Sequence, residues 1–353
     1  MKALITAGGH GTRLRPITHT QNKHLIPIAN KIMLDYALDY VRNVNITDIG
    51  IIINAGDESI KAEFGDGSSR AVKITYIPQE APLGLAHVIK ISEKFIDGEL
   101  FVFYLGDNIL VGGIKQFIEE FERAESNCHL ALSRVPDPNR FGVAEVKNQK
   151  IIGIEEKPKE AKSNLAVTGI YLYDNSIFEA VNNINPSARN ELEISDAHQY
   201  LLEHNYEISF SEITGWWKDT GKPSDLLDAN RLVLDNIIDR VGGKCKNSQV
   251  NGNVQVGKNV IIKNSKIEGP AVIGDKTVIE KAVILPHTSI GRRCIIRNCQ
   301  VGNSIIMSDS YIKNVKTKIT GSLLGNDVRL IGSHKKLSAH RFILGDQSRA
   351  ELY

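Results

Sequence analysis

The chain has few of the features that staple or anchor a protein. It holds four cysteines in 353 residues. Cys128, Cys245, Cys294 and Cys299 form no CxxC pair, which argues against a disulfide scaffold and against a cysteine-based zinc site. No apolar run reaches the roughly 18 residues of a membrane span. No charge of one sign dominates either: 43 Lys and Arg stand against 41 Asp and Glu, a net charge of +2. That balance excludes a surface built to coat a nucleic acid polymer. The opening MKALITAGGHGTR lacks the long apolar stretch and small-residue cleavage site of a secretory signal. A reduced, cytoplasmic protein that engages no membrane is the expectation. What is present is ordinary globular material, 42% hydrophobic and 24% charged, in a length that suits about two domains.

Two textures divide the chain near residues 237–250. Before the join, short apolar runs alternate with helical periodicity. KALITAG (2–8), DIGIIIN (48–54) and ELFVFYLGDN (99–108) read as buried strands. MLDYALDYVRNVN (33–45), LGLAHVIKISEKF (83–95) and IKQFIEEFERAES (114–126) read as amphipathic helices. This alternation predicts an α/β fold with a parallel sheet. DLLDANRLVLDNIIDRV (225–241) predicts a long linking helix.

After the join the period changes. Val256-Gly257, Ile273-Gly274 and Ile290-Gly291 recur at steps of 17 residues, and Leu324-Gly325 lies a double step further on. Ile262, Ile267, Ile273, Ile279, Ile284 and Ile290 are five or six residues apart, and Ser265, Ala271, Thr277, Ala282, Thr288 and Cys294 stand near them as small residues. No helix has that spacing. A β-solenoid does, with one aliphatic side chain per short strand pointing to the axis, over about four coils. The pattern resembles the left-handed parallel β-helix. The expected division is 1–240 for the α/β domain, 245–335 for the β-helix and 336–353 for a tail.

The chemistry concentrates at Ala7-Gly8-Gly9-His10-Gly11-Thr12-Arg13, at the end of the first strand. Such glycines let backbone N–H groups approach phosphate, though they serve equally as a tight turn. The loop fits neither GxxxxGK[ST] nor GxGxxG, so it is neither a Walker loop nor the dinucleotide fingerprint. Arg13, Arg15 and Lys23 add three cations, a set suited to a triphosphate.

AGGHGTRLRPITHTQNKHLIPIANKIMLDY resembles the signature of the sugar-phosphate nucleotidyltransferases. Within them, the long-form glucose-1-phosphate thymidylyltransferases are matched by QEAPLGLAHVI (79–89), YLGDN (104–108), DPNRFGVAEV (137–146), EEKPKEAKSNLAVTGIYLYDN (155–175), RNELEISDA (189–197), GWWKDTGKPSDLLDANR (215–231) and LGDQSRAELY (344–353). The likeness runs over nearly the whole chain. Ile32 replaces a common proline, His24 a common glutamine, and Phe141 a tyrosine frequent in short forms.

The resemblance implies a Rossmann-like mixed sheet followed by a left-handed β-helix. It also implies an activity: transfer of a nucleotidyl group from dTTP to glucose 1-phosphate, assisted by Mg²⁺, releasing pyrophosphate. UTP remains open as a substrate, as do other sugar 1-phosphates and a non-catalytic sugar-nucleotide-binding role. Ala7, Gly8, Gly9, Gly11, Thr12 and Arg13 would hold the triphosphate, and Gln79 and Gly84 the base. Arg13 and Lys23 are the catalytic candidates. Asn108, Gly142, Glu156, Lys157, Val167 and Trp217 would take the sugar phosphate. Asp107 and Asp219 would bind the metal.

On sequence alone each of these has a plainer reading. Asp219 suits an N-cap or turn, Gln79 an exposed loop, and Glu155-Glu156-Lys157-Pro158 a charged surface turn. The β-helix reads first as a structural module that joins copies of the chain into a homo-oligomer, and removal of residues after about 240 should then spare the chemistry. An acyltransferase with His287 as base, or a regulatory platform, is the competing role.

Overall fold

The computed structural model describes residues 1–239, 242–332 and 347–351. They group into two compact units. One comprises Met1–His10 and Leu34–Asp219, the other Gly11–Met33 and Thr220–Tyr353.

The first unit is built on a nine-stranded sheet. Lys2–Thr6 lies between two parallel neighbours, Asp48–Asn54 and Phe101–Leu105, with Lys73–Gln79 beyond Asp48–Asn54. The centre is apolar on both faces, as a helix-covered parallel sheet requires, and Ala3, Leu4, Ile5, Ile51 and Phe103 are essentially inaccessible. Leu165–Tyr173 then joins antiparallel to Phe101–Leu105, which makes the sheet mixed. This strand also pairs with Cys128–Arg134 and Gly142–Lys147, its register shifting between Val167 and Tyr171.

The helices follow the expected periodicity with shorter limits: Met33–Arg42 and Lys115–Ala124. The helix expected over 83–95 is two, Leu85–Ile91 and Glu93–Ile96. The break falls at Ser92, whose hydroxyl donates to the Val88 carbonyl at 2.7 Å and competes with the helical ladder.

The second unit is dominated by the left-handed β-helix. Three parallel sheets of six, five and five strands wrap one axis. The pairing Lys244↔Ile261, Ile261↔Val278 and Val278↔Ile295 advances one 17-residue coil at a time. The described residues make five coils where the periodicity predicts about four. The outermost strands, Lys244–Lys246 and Arg329–Ile331, are exposed, and the Lys-Cys-Lys sequence of the first weakens the repeat. All six of the isoleucines singled out by spacing are buried, as are the small residues from Ser265 to Cys294.

Three short 3₁₀ turns, Thr12–Leu14, Ile17–His19 and Lys23–Leu25, and the hairpin Pro27–Ile28/Lys31–Ile32 belong to this unit. So does the helix Pro223–Leu234, shorter than the 225–241 expected. Past Leu234 the backbone tightens to three-residue hydrogen bonds and Asn236 Nδ2 donates to the Leu232 carbonyl at 2.9 Å, which satisfies carbonyls a helix end leaves open. The tail expected at 336–353 lies outside the described residues except for 347–351. Among the described residues no helix is long and apolar enough to cross a membrane.

Candidate active site

In the first unit, Ala7 is fully buried and its N–H donates to the Ile52 carbonyl at 2.7 Å, fixing where the strand ends and the glycines begin. Asn54, at the end of the neighbouring strand, reaches across. Its Oδ1 accepts from Gly9 N–H at 2.8 Å and its Nδ2 donates to the Gly9 carbonyl at 3.3 Å. A Cβ on Gly8 would sit 3.1 Å from Asn54 Oδ1, so the asparagine packs closely over this glycine and would have to shift for a larger residue.

The two aspartates proposed for metal are 112 residues apart in sequence. A two-stranded antiparallel ladder, Asn108–Leu110 with Trp217–Asp219, closes that distance by placing Asp219 opposite Asn108, the residue after Asp107. Asp107 and Asn108 are buried. Asn108 Nδ2 donates to Asp107 Oδ1 at 3.0 Å, Trp217 Nε1 donates to Asn108 Oδ1 at 2.6 Å, and Tyr104 Oη donates to the Asn108 carbonyl at 2.9 Å.

Among the described residues no group of three or more His, Cys, Asp or Glu side chains forms a metal cage. A pair of carboxylates at one ladder end is instead the donor set Mg²⁺ takes when phosphate oxygens and water complete its shell. The residues fit that ion.

Gly142 and Glu156 face each other across another antiparallel pair. Glu156 Oε2 accepts from Ser195 Oγ at 2.8 Å, and Oε1 lies 3.1 Å from Lys157 Nζ and 3.3 Å from Arg189 Nη2. A Cβ on Gly142 would reach 2.5 Å from Ser195 Oγ, which explains the missing side chain. Phe141 meets Trp217 edge-on, ring centres 5.5 Å apart at 63°, and so links this group to the acidic ladder. Val167 is buried in Leu165–Tyr173, opposite Leu132.

Gln79 ends its strand opposite Asn54. Its Nε2 lies 3.4 Å from the Gly84 carbonyl and 3.2 Å from His87 Nδ1. Gly84 has φ +97°, and any Cβ there would collide with the Leu192 backbone. Burial, aided by the charge of Lys90, holds the His87 pKa below its ordinary value, so the ring is neutral near pH 7 and can pair with the amide.

The cations lie in the second unit. Gly11 adopts φ +57°, and its carbonyl accepts from Thr18 Oγ1 at 2.7 Å. Thr12 and Arg13 form the following 3₁₀ turn, and both are exposed. The Arg13 guanidinium lies against Gly221, where a Cβ would be 2.9 Å from Nη2. Lys23 opens its own 3₁₀ turn, capped by Asn22 Oδ1, which accepts from His24 N–H at 2.9 Å. Lys23 Cβ would be 3.4 Å from a Cβ on Gly11, so glycine loop and lysine are in close packing.

The family model described as nucleotidyl transferase matches residues 2–236. The chain belongs to the nucleotidyl transferase family. A nucleotidyl transferase of Streptomyces griseus named glucose-1-phosphate thymidylyltransferase is 43% identical over 100% of this chain and 99% of its own length. The low-salt glycan biosynthesis nucleotidyltransferase Agl11 of Haloferax volcanii is 42% identical over 100% of both. A Bacillus anthracis structure described as a glucose-1-phosphate thymidylyltransferase, in complex with a sucrose, superposes with a TM-score of 0.64 at 41% identity. It covers 68% of this chain and 98% of its own.

Three polar residues of this nucleotidyl transferase escape a reading by motif. Asn54 lies outside the glycine signature and is visible only as the polar end of DIGIIIN. Ser195 and Arg189 lie in RNELEISDA, yet nothing in that segment announces that both reach Glu156. His287, the candidate acyl-transfer base, is turned onto Asp235, with Nε2 2.7 Å from Oδ1. It occupies a left-handed coil corner at φ +61°.

Proposed function

We propose that the protein transfers a thymidylyl group from dTTP to glucose 1-phosphate, giving dTDP-glucose and pyrophosphate. The observation that carries the reading is the full-length likeness to thymidylyltransferases, together with a phosphate-type glycine loop, two cations and a paired-aspartate ladder in one chain. An oxygen of the sugar phosphate attacks the α-phosphorus, and the bond to the β-phosphate breaks as pyrophosphate departs. The attacking oxygen is already anionic, so no general base is required. Alignment and charge neutralisation lower the barrier.

The amides of Gly8, Gly9, Gly11 and Thr12 line the triphosphate. Arg13 neutralises charge gathering on the departing pyrophosphate, and Lys23 offsets repulsion between the two anions. Gln79 and Gly84 read the pyrimidine edge, where an amide can both donate and accept. Glu156 accepts from sugar hydroxyls, held by Ser195, while Gly142 leaves room and Val167 and Trp217 supply apolar wall. Asn108 and Lys157 complete the sugar-phosphate set. Asp107 and Asp219 would hold Mg²⁺, which when bound supplies charge neutralisation on phosphate oxygens. The protein acts in the cytoplasm, and copies associate through the β-helix.

Pyrophosphate release with Mg²⁺, over a grid of triphosphates against sugar 1-phosphates, tests the assignment. A maximum at dTTP with glucose 1-phosphate supports it. A maximum at UTP or another sugar moves the substrate and keeps the mechanism, and silence across the grid removes the catalytic reading.

A further inference from the structure

The segment that carries Arg13 and Lys23 groups with the β-helix rather than with the sheet that starts the glycine loop. Specific bonds hold it there. The centre of the arrangement is Asn230, on the helix Pro223–Leu234 and 1% exposed. Its Oδ1 accepts from Ala29 N–H at 2.9 Å and from Ser289 Oγ at 2.5 Å, and its Nδ2 donates to the His287 carbonyl at 3.2 Å. Both acceptor positions and one donor of a buried amide are therefore used. One side chain ties the loop hairpin to two residues of one coil.

Flanking contacts repeat the arrangement. Asn30 Nδ2 donates to the Ile290 carbonyl at 2.6 Å. Gln21 Nε2 lies 3.4 Å from Met307 Sδ, and Gln21 Oε1 accepts from Asn326 Nδ2 at 3.3 Å. Thus contacts at Gln21, Ala29 and Asn30 bracket Lys23 in sequence. On this coil face the outward positions Val272, Ser289 and Ile305 are 7%, 1% and 1% exposed. Ala29 and Asn30 are both left-handed, at φ 48° and 62°, so the hairpin tip is a tight two-residue turn of fixed shape. Its attachment to the coils is transmitted back through Ile26 and Ile28, both fully buried, to Lys23 and to Gly11 packed beside it.

We propose that Asn230 is a positioning residue through which the β-helix sets the place of Lys23. This rests on the reading of Lys23 as a phosphate-neutralising group. The coils would then act in the chemistry as the seat of the phosphate-binding segment, without themselves touching substrate. A buried amide with three bonds suits that task, because its loss orphans Ala29 N–H and the His287 carbonyl together, and such groups then seek water by moving.

The full-length protein carrying Asn230→Ala tests the proposal. Backbone amides of residues 20–32 should exchange with deuterium about tenfold faster, while Lys2–Thr6 and Phe101–Leu105 keep their protection. The Kd for inorganic tripolyphosphate should rise, and turnover per folded molecule should fall, each by roughly tenfold. Unchanged exchange over 20–32 overturns the proposal. So does faster exchange with wild-type affinity and turnover. Asn30→Gly provides a milder second variant: glycine keeps the left-handed turn and only the bond to Ile290 is lost, so the same changes should appear at smaller size. Lys23→Ala runs alongside. Wild-type turnover in that variant would sink the reading of Lys23, whereas an inactive Lys23→Ala beside a wild-type Asn230→Ala would sink the brace alone.

Discussion

The Trp217 indole donates to Asn108 Oδ1 at 2.6 Å, while the same asparagine donates through Nδ2 to Asp107. A residue read as sugar wall therefore controls the rotamer of a residue that controls a metal-binding candidate. Trp217→Phe keeps the ring that meets Phe141 and removes only the donor. It leaves a buried acceptor unpaired, a loss of about 1–3 kcal/mol. The KM for glucose 1-phosphate should rise roughly tenfold, with a smaller fall in kcat. Steady-state kinetics at saturating dTTP decides it, and an unchanged KM would show that the indole bond is not what orients Asn108.

Asp107→Asn and Asp219→Asn test the acidic ladder without changing side-chain shape. In the Asp107→Asn variant the new amide oxygen would still accept from Asn108, so the fold should persist by circular dichroism. Turnover should fall at least about a hundredfold in each, with the Mg²⁺ concentration for half-maximal rate shifted upward, as loss of an anionic ligand demands. Chelation of the wild type should abolish pyrophosphate release reversibly. Wild-type metal dependence in either variant would remove that aspartate from the ligand set.

Gly221 offers a cleaner probe of Arg13 than removal of the arginine. A methyl group there would press on the guanidinium at 2.9 Å, and the glycine's own φ lies outside the left-handed region. The obstacle is the far end of a flexible side chain, so Gly221→Ala should leave Tm within about 2 °C of the wild type, as expected for a change of a few tenths of a kcal/mol. Its effect should fall on the triphosphate, with kcat/KM for dTTP lowered roughly tenfold. A large fall in Tm with normal kinetics would mean that the residue serves packing instead.

The fold was legible where one period runs long enough. DIGIIIN forms the strand Asp48–Asn54 at the limits its pattern suggests, and the 17-residue step in the sequence reappears as the coil register. Positive-φ corners at Asn247, Asn264, Lys281, Asn298 and Asn314 carry a second signal, asparagine at coil spacing, interrupted once by lysine. Helix ends were less legible, because Ser92 and Asn236 act through single side-chain bonds that no periodicity encodes. The glycine loop and its cations stand out because their residue types are contiguous. The facing of Asp219 and Asn108 does not, since it depends on a three-residue ladder closed over more than a hundred residues. The expectation that removal of residues after about 240 spares the chemistry follows from reading the coils as a structural module. Asn230 reads in sequence only as a polar residue in an amphipathic helix, and its three bonds exist only once the hairpin and the coils are folded against it.

Two buried histidines make stability depend on pH in a calculable direction. His198 is fully buried, with Nε2 2.6 Å from Tyr173 Oη, and burial lowers its pKa from 6.5 to about 3. His129, between Ser209 and Ser211, is lowered to about 4 by burial, with Glu120 opposing. Both are neutral in the folded protein and titrate normally when it unfolds. Below pH 6.5 the unfolded chain therefore binds more protons than the native one, and stability falls as pH falls. The contribution is intact above the unfolded pKa and is lost progressively toward pH 4, where His129 begins to charge in the folded state. Between pH 6.5 and 5 each residue should remove about 1.6 kcal/mol, the full slope of 1.36 kcal/mol per pH unit being reached only well below pH 6.5. His198→Gln keeps a partner for Tyr173 and does not titrate, so the fall in Tm from pH 7.5 to 5 should be visibly smaller than in the wild type. Equal falls in both proteins would show that the acid sensitivity arises from other groups.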